Sequence, residues 1–301
     1  MASQGKYSSR QFWQQLLPKI VIAPSFALIL FFVYGFIAWT TYISFSRSRM
    51  LPNYNLDGVR PYEKLWNSLN WQVALENLAV FGILYIVICC ALGLLLAILL
   101  DQKIRIEGGL RPVFLYPMAL SFIVTGTAWK WFLNPGLGLE KTMHELGWES
   151  FSFDWLINPE MAIYTVVIAG VWQTSGFVMA MFLAGLRGID SEMLKAAQLD
   201  GASSFQMYRR IIIPQLRPVF LSAFIVLAHM AIKSYDLVIA LTGGGPGNAT
   251  ALPATFMYSY TFSRNQMAVG SASAIIMLMT IAAIIVPYLY SELKEPKHGQ
   301  H

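Results

Sequence analysis

Long apolar runs that lack Asp, Glu, Lys and Arg recur along the chain, separated by polar segments rich in Gly, Pro and Asn. A helix needs about 20 mostly apolar residues to cross the hydrocarbon core of a bilayer, and charged side chains are costly there. One of the runs is interrupted by Lys233 and Asp236, which form a polar patch near its far end. The pattern predicts an all-α integral membrane protein with six transmembrane helices, at residues 20–46, 77–100, 112–129, 161–186, 218–241 and 265–291.

Composition supports a membrane protein and narrows the remaining classes. The 301 residues are 56% hydrophobic and 12% charged, whereas soluble domains carry about 25% charged residues. This balance argues against a soluble enzyme and excludes a disordered chain. Two adjacent cysteines, Cys89 and Cys90, exclude a disulfide scaffold and any multi-cysteine metal site.

The distribution of basic residues predicts that both termini lie in the cytoplasm. With that orientation, the cytoplasmic segments hold about twice as many Lys and Arg as the outer ones, in accord with the positive-inside rule. The basic residues left on the outer side are Arg47, Arg49, Arg60, Lys64, Lys141 and Arg264.

Two terminal segments flank the membrane domain predicted at residues 20–291. Residues 1–19 place Phe12, Trp13 and Leu16 among polar side chains, a pattern typical of a helix lying in the cytoplasmic interface. An ordinary start of the first span is the alternative. Residues 292–301 are expected to form a cytoplasmic tail.

The segment 187–217, between the fourth and fifth predicted spans, reads as a helix–turn–helix outside the bilayer. Residues 191–199 are good helix formers, and residues 202–213 are helical again. Between them Asp200-Gly201 signals a turn, because Gly accepts a positive φ at little steric cost. The small and apolar side chains of this segment offer a docking face: Ala196, Ala197, Leu199, Phe205, Ile211 and Ile213.

The stretch KAAQLDGASSFQMYRRIIIPQLRP in this segment resembles the loop signature of ABC importer permeases, in which Glu-Ala-Ala is followed at fixed spacing by Gly and then Ile-x-Leu-Pro. The positions that match in place are Ala196, Ala197, Gly201, Ile211 and Pro214. Lys195 stands where Glu is usual, and Ile213 stands where Leu is usual.

A second stretch, LTGGGPGNAT at 241–250, resembles the Leu-Thr-x-Gly-Gly-Pro loop of carbohydrate importers of the maltose and glycerol-phosphate type. Together the two motifs, the helix count and the length cover essentially the whole chain. The chain is similar to the first of the two permeases in such systems, and within that group most similar to glucose/mannose-type permeases.

The resemblance implies a type I ABC importer permease whose loop docks, through a short coupling helix, in a cytoplasmic ATPase. It implies a second permease subunit in a heterodimer, two ATPase subunits and an extracytoplasmic sugar-binding protein, at the cell inner membrane. ATP and Mg would bind to the partner ATPases, so no cofactor, no enzyme activity and no nucleic-acid partner is expected for this chain. The coupling residues implied are Lys195, Ala196, Ala197, Asp200, Gly201, Ile211, Ile213 and Pro214.

Sugars are recognised by hydrogen-bonding groups together with aromatic faces, and the fourth and fifth spans supply both. The candidate substrate path is Trp172, Gln173, Thr174, Phe177, Lys233, Ser234, Tyr235 and Asp236. Structural interpretations stay open for each: the aromatic rings as helix packing, the polar pair in the fourth span as interhelical hydrogen bonds, and Lys233 with Asp236 as an i, i+3 ion pair.

Other functional classes fit less well. An ion-coupled secondary transporter would need ionisable residues in its helices, and here essentially only Lys233 and Asp236 qualify. A membrane-embedded enzyme would need a catalytic cluster, yet there are no paired carboxylates, no His pair at i, i+4 and no nucleophile motif. The phosphate-loop motif G-x-x-x-x-G-K-[ST] is likewise absent from the sequence. For the loop itself, the alternative is an interfacial helix with no partner.

Overall fold

The computed structural model describes residues 9–102 and 107–294, and these form helices and connecting loops with one isolated bridge between Ser46 and Leu56. Residues 1–8 of the predicted N-terminal segment and residues 295–301 of the predicted tail lie outside the described residues. The interfacial position of residues 1–19 therefore stays a prediction.

Four helices are long and apolar enough to cross a membrane. The first, α1, runs from Ser9–Ile29 through a π-helical turn at Leu30–Tyr34 into Gly35–Ser44. The others are α3 (Leu69–Asp101), α7 (Ala162–Arg187) and α13 (Met267–Lys294). The second span thus begins earlier than predicted, because its polar first turns, which carry Asn70 and Glu76, are still helical.

The third predicted span, 112–129, is divided into two helices rather than forming one continuous helix. The structure has α4 (Glu107–Ala119) and α5 (Phe122–Phe132), bent by 96°. Pro117 lacks the N–H that would continue the helical ladder, and the Ser121 side chain caps α5 by accepting a hydrogen bond from the Ile123 N–H at 3.3 Å.

The fifth predicted span, 218–241, is also divided. It consists of α10 (Arg217–Ile232) and α11 (Asp236–Leu241), with Lys233, Ser234 and Tyr235 between them. The predicted polar patch is therefore a break in the helix. Lys233 and Asp236 do not lie on one helix, and no ion pair joins them within the described part of the chain.

Shorter helices complete the fold. These are α2 (Arg60–Trp66), α6 (Leu139–Glu145), α8 (Ser191–Leu199), α9 (Ser204–Gln215, with a π-helical turn at Tyr208–Ile212) and α12 (Pro253–Tyr258, followed by a π-helical turn at Ser259–Ser263). A bend of 60° separates α9 from α10. Counting each bent pair as one span gives up to six spans, as predicted.

The core forms around α7, most of which is buried. Glycines let its neighbours approach closely. A Cβ at Gly93 of α3 would lie 2.6 Å from Val178, and a Cβ at Gly176 of α7 would overlap the Phe114 carbonyl oxygen of α4. By contrast, the side chains at 17–39 of α1 are exposed.

The bundle has two distinct ends. One end, called here the coupling end, carries residues 187–217, called here the coupling segment. There Asp101 is the last residue of α3 and Arg187 the last of α7, and their side chains form an ion pair at 3.6 Å. At the opposite end, the start of α3 meets the glycine-rich loop at 242–252, where the Asn77 side chain donates to the Asn248 and Ala251 carbonyl oxygens at 3.1 and 3.0 Å.

Candidate solute site and coupling segment

A cavity of about 380 Å³ lies where the break between α4 and α5 meets the break between α10 and α11. This volume is within the ~300–1,000 Å³ typical of small-molecule sites. Its walls combine aromatic rings with polar and charged groups. The lining residues are Phe81, Tyr85, Met118, Phe122, Gly170, His229, Met230, Lys233, Ser234, Tyr235, Asp236 and Leu237.

The four candidates of the fifth span, from Lys233 to Asp236, all line this cavity. Lys233 is 16 residues beyond Arg217, so it lies about 24 Å from the coupling end along the helix axis. Both Lys233 and Asp236 are exposed, and neither has an ion-pair partner among the described residues. Unpaired charges within a membrane span face water-filled cavities or functional sites.

The candidates of the fourth span do not line the cavity; two of them support its walls. Gln173 is buried, and its Nε2 donates to the Leu120 carbonyl oxygen at 2.8 Å. This bond satisfies a backbone acceptor released where α4 ends. The Gln173 Oε1 is buried with no hydrogen-bond donor among the described residues. Gln173 therefore holds the break of the third span against α7.

Thr174 supports the part of the wall that α3 forms. Its Oγ1 accepts a hydrogen bond from the Tyr85 hydroxyl at 2.9 Å, and both residues are buried. The Tyr85 ring stacks on Phe81 with centroids 5.2 Å apart. Thr174 thereby orients an aromatic pair of α3 that faces the cavity.

Trp172 and Phe177 lie away from the cavity lining. Trp172 is 41% exposed, and its ring meets Trp129 edge-on at 5.8 Å. Phe177 packs against the central hydrophobic core. Their contacts in this chain correspond to the packing interpretation.

Several lining residues were not singled out from the sequence, among them Tyr85 and His229. Each is a polar side chain within an otherwise apolar run of α3 or α10. A polar side chain isolated in an apolar run was the sequence signal from which these two lining residues could have been found. Which side of a helix faces a cavity depends, however, on breaks in neighbouring helices.

In the coupling segment, α8 is a capped and separate helix. Asp190 caps its start by accepting a hydrogen bond from the Glu192 N–H at 2.8 Å. At its end, Gly201 has a φ of +80°, and the Gly201 and Ala202 N–H groups donate to the Gln198 and Ala197 carbonyl oxygens, each at 3.0 Å. This is a Schellman motif, which requires a left-handed residue and favours Gly there.

The second half of the segment also has its own cap. Ser203 and Gln206 form a capping box, so α9 begins at Ser204 and continues to Gln215, two residues past the predicted end. Pro214 and Ile213 lie in its last turn. Gln215 donates through its Nε2 to the Met193 sulfur at 2.9 Å, which ties α9 back to α8.

The surface of this segment is open and partly apolar. Leu199 is 90% exposed and Phe205 is 72% exposed. Lys195 and Ala196 are also exposed, whereas Ala197 and Ile211 are half-buried. Exposed large apolar side chains beside small ones, on a rigid element, form a surface suited to contact with another protein.

The segment is connected directly to the buried helix that supports the cavity. Gln173 and Arg187 are 14 residues apart on α7, or about 21 Å along its axis. Arg187 pairs with Asp101, and α8 begins four residues later. α7 is thus one continuous helix between Gln173, which supports the cavity wall, and the start of the coupling segment.

Comparison with known proteins places this architecture in one family. Residues 10–297 match the family described as binding-protein-dependent transport system inner membrane component. A probable ABC transporter permease protein of Pyrococcus horikoshii is 40% identical over 282 residues, covering 92% of this chain and 97% of that relative. The xylose/arabinose import permease protein of Haloferax volcanii is 37% identical over 274 residues, covering 90% of this chain and 86% of that relative.

The fold is also found in a solved structure. A bacterial ABC transporter involved in the import of the acidic polysaccharide alginate superposes with a TM-score of 0.81, at 18% sequence identity, over 96% of this chain and 99% of the matched chain. The broken spans and the protruding coupling segment thus belong to a type I ABC importer permease fold. With the family match spanning nearly its whole length, the chain belongs to the inner membrane components of binding-protein-dependent transport systems.

Proposed function

We propose that this chain is the transmembrane permease subunit of an ATP-driven sugar importer. The observation that carries the proposal is the cavity between two helix breaks, joined by α7 to an exposed, rigid coupling segment. Alternating access needs a solute site at such breaks and a lever that moves it. ATP and Mg would bind to two partner ATPases, which α8 and its neighbours would contact.

Sugar is the proposed solute class for two reasons. The cavity offers the stacked rings of Phe81 and Tyr85 beside the polar groups of Ser234, Asp236 and His229, which suits the apolar and polar faces of a sugar ring. Relatives named for xylose/arabinose import and for trehalose/maltose transport, the latter from Thermococcus litoralis and 28% identical, lie in the same family. Within the class, glucose or mannose is our narrower proposal, on the motif resemblance alone.

The proposed assembly contains a second permease in a heterodimer, in which this chain is the first subunit, and an extracytoplasmic binding protein that delivers the solute. Both termini would face the cytoplasm, as the basic residues predict. The coupling residues would be Lys195, Ala196, Ala197, Asp200, Gly201, Ile211, Ile213 and Pro214, and the exposed Leu199 and Phe205 extend their surface.

The test is reconstitution of this chain with its second permease, ATPase and binding protein in liposomes. ATP hydrolysis and uptake are measured with glucose, mannose, xylose, maltose, glycerol phosphate and no solute. Stimulation by glucose or mannose with binding protein supports the full proposal. Stimulation by another sugar supports the sugar importer but contradicts the narrower proposal of glucose or mannose.

The same liposomes separate the importer from the ion-coupled alternative. Uptake that is blocked by vanadate and unaffected by a protonophore supports the ATP-driven mechanism. Uptake that is insensitive to vanadate and depends on a proton or sodium gradient contradicts that mechanism. A variant lacking both cavity charges, Lys233→Met with Asp236→Leu, is expected to lose solute stimulation while still assembling with the ATPase.

A further inference from the structure

A second, larger cleft of about 1140 Å³ lies at the opposite end of the bundle, away from the coupling segment. It is formed by the loop after α1, the start of α2 and the start of α13. The charged residues that line it are five basic side chains, Arg47, Arg49, Arg60, Lys64 and Arg264, and a single carboxylate, Asp57.

The cleft is rigidly built. The backbone N–H groups of Met267 and Ala268, at the start of α13, donate to the carbonyl oxygens of Arg49 and Ser48 at 3.0 and 3.1 Å. The buried Ser48 hydroxyl donates in turn to the Asn53 carbonyl oxygen at 3.1 Å. The backbone of the loop that carries Arg47 and Arg49 is therefore tied to the start of α13.

Only part of the positive charge is compensated internally. Asp57 lies 3.0 Å from Arg47 and 3.7 Å from Arg60, and Arg264 lies over the Tyr260 ring at 4.9 Å. Arg49 and Lys64 are exposed and have no acidic partner among the described residues. The cleft therefore has a net positive potential that attracts an anionic surface.

The position of these charges is unusual for the proposed topology. Short outer loops are normally poor in Lys and Arg, yet five of the six basic residues assigned to the outer side line this one cleft. Four of the five lie within residues 47–64, and the fold adds Arg264, from just before α13, at the same place.

The rim indicates a protein partner rather than a small anion. Met50 and Leu51 line the cleft and are 70% and 74% exposed, and Tyr54 nearby is also exposed. Arg, Met and Tyr are enriched in protein–protein interfaces. The volume also exceeds the upper range of about 1,000 Å³ for small-molecule sites.

We propose that this basic cleft receives an acidic surface of the extracytoplasmic binding protein during solute delivery. The inference rests on the proposed function and adds to it the site, the residues and the charge of the contact. Charge complementarity of this kind accelerates association and selects the partner.

The test uses the reconstituted complex with Arg49→Glu and Lys64→Glu combined, the two basic residues that lack an internal partner. ATP hydrolysis is measured against binding-protein concentration. The expected result is a rise of about tenfold in the half-saturating concentration with maximal hydrolysis retained, because repulsion slows association. The matched control is Lys141→Glu, which reverses an exposed outer charge of α6 outside the cleft and is expected to leave the curve unchanged.

A milder variant, Arg49→Gln with Lys64→Gln, is used if the double charge reversal does not fold. It is expected to raise the half-saturating concentration by a smaller factor. In the unaltered complex that concentration should rise with ionic strength, as screening predicts. An unchanged curve, or a lower maximum at unchanged half-saturation, overturns the docking role while leaving the importer intact.

Two further outcomes identify a different role. If the effect of the variant appears only in liposomes with anionic lipids, the cleft binds lipid headgroups and the proposal fails. If the unaltered complex shows no stimulation by binding protein at any concentration, the proposed function fails, and this inference fails with it.

Discussion

At the scale of single residues, the molecule depends on a few positions at which regular backbone hydrogen bonding is interrupted. Gln173 supplies the donor that the Leu120 carbonyl loses at the bend between α4 and α5. Gly201 supplies the left-handed conformation that ends α8. Gln173 thus stabilises a bend in a neighbouring segment, and Gly201 allows the chain to turn after α8.

Gln173→Ala is expected to destabilise the protein by about 1–3 kcal/mol, because it leaves a buried carbonyl without a donor. The control is Gln72→Ala, which also removes a bond from a glutamine amide to a backbone carbonyl, but at an exposed position. Thermal unfolding in detergent measures both. Equal shifts for the two variants would contradict the anchoring role of Gln173.

Gly201→Val is expected to reduce solute-stimulated ATP hydrolysis roughly tenfold at unchanged membrane level, since a left-handed L-residue costs about 1–2 kcal/mol. No atom lies within 4 Å of a Cβ at this position, so the effect is conformational rather than steric. Gly201→Asn is the control, because Asn tolerates this conformation. If both variants behave like the unaltered protein, the cap does not set the position of α8.

At the scale of helices, close approach depends on missing side chains. Gly176 lets α7 contact the backbone of α4, and Gly126 lets α5 contact α11, where an added Cβ would lie 2.6 Å from the Ala240 Cβ. The two broken spans are therefore held by backbone proximity as well as by side chains. Membrane helices rely on this packing because lipid offers no hydrophobic drive for association.

Gly176→Ala is expected to lower the yield of folded protein strongly, because the new Cβ would overlap the Phe114 carbonyl oxygen. Overpacking of this kind usually costs 1–3 kcal/mol and sometimes more. Gly35→Ala in α1, where no atom lies within 4 Å, is the matched control and should be neutral or slightly stabilising. Size-exclusion profiles after detergent extraction distinguish the two. Comparable profiles would show that α4 moves aside readily.

At the scale of helices, some features could be predicted from the sequence and others could not. The apolar runs predicted the spans, and Asp200-Gly201 predicted the turn after α8, because both signals are local. The division at Lys233 was not predicted, since the apolar run around it remains long enough to span. Pro117 indicates a kink within the third span, but the size of the bend does not follow from the sequence. The cavity also escaped prediction, because it exists only where the two breaks meet.

At the scale of the whole molecule, burial is uneven. The core lies around α7, whereas α1 exposes its side chains from 17 to 39. In the proposed assembly those side chains contact lipid or the second permease subunit. The basic cleft and the coupling segment lie at opposite ends, so the two proposed partners would bind without competing for surface.

The continuity of α7 has a thermodynamic consequence. If nucleotide at the partner ATPases shifts the affinity of the cavity for solute through this helix, then solute in the cavity must shift nucleotide affinity by the same factor, because coupling free energies are reciprocal. In the assembled complex, the nucleotide dissociation constant is measured with and without saturating solute-loaded binding protein. The ratio of these two constants should equal the ratio of the solute dissociation constants measured with and without nucleotide. Interrupting α7 with Val178→Pro would bring that ratio towards one, and a ratio that survives the interruption would assign the coupling to another route.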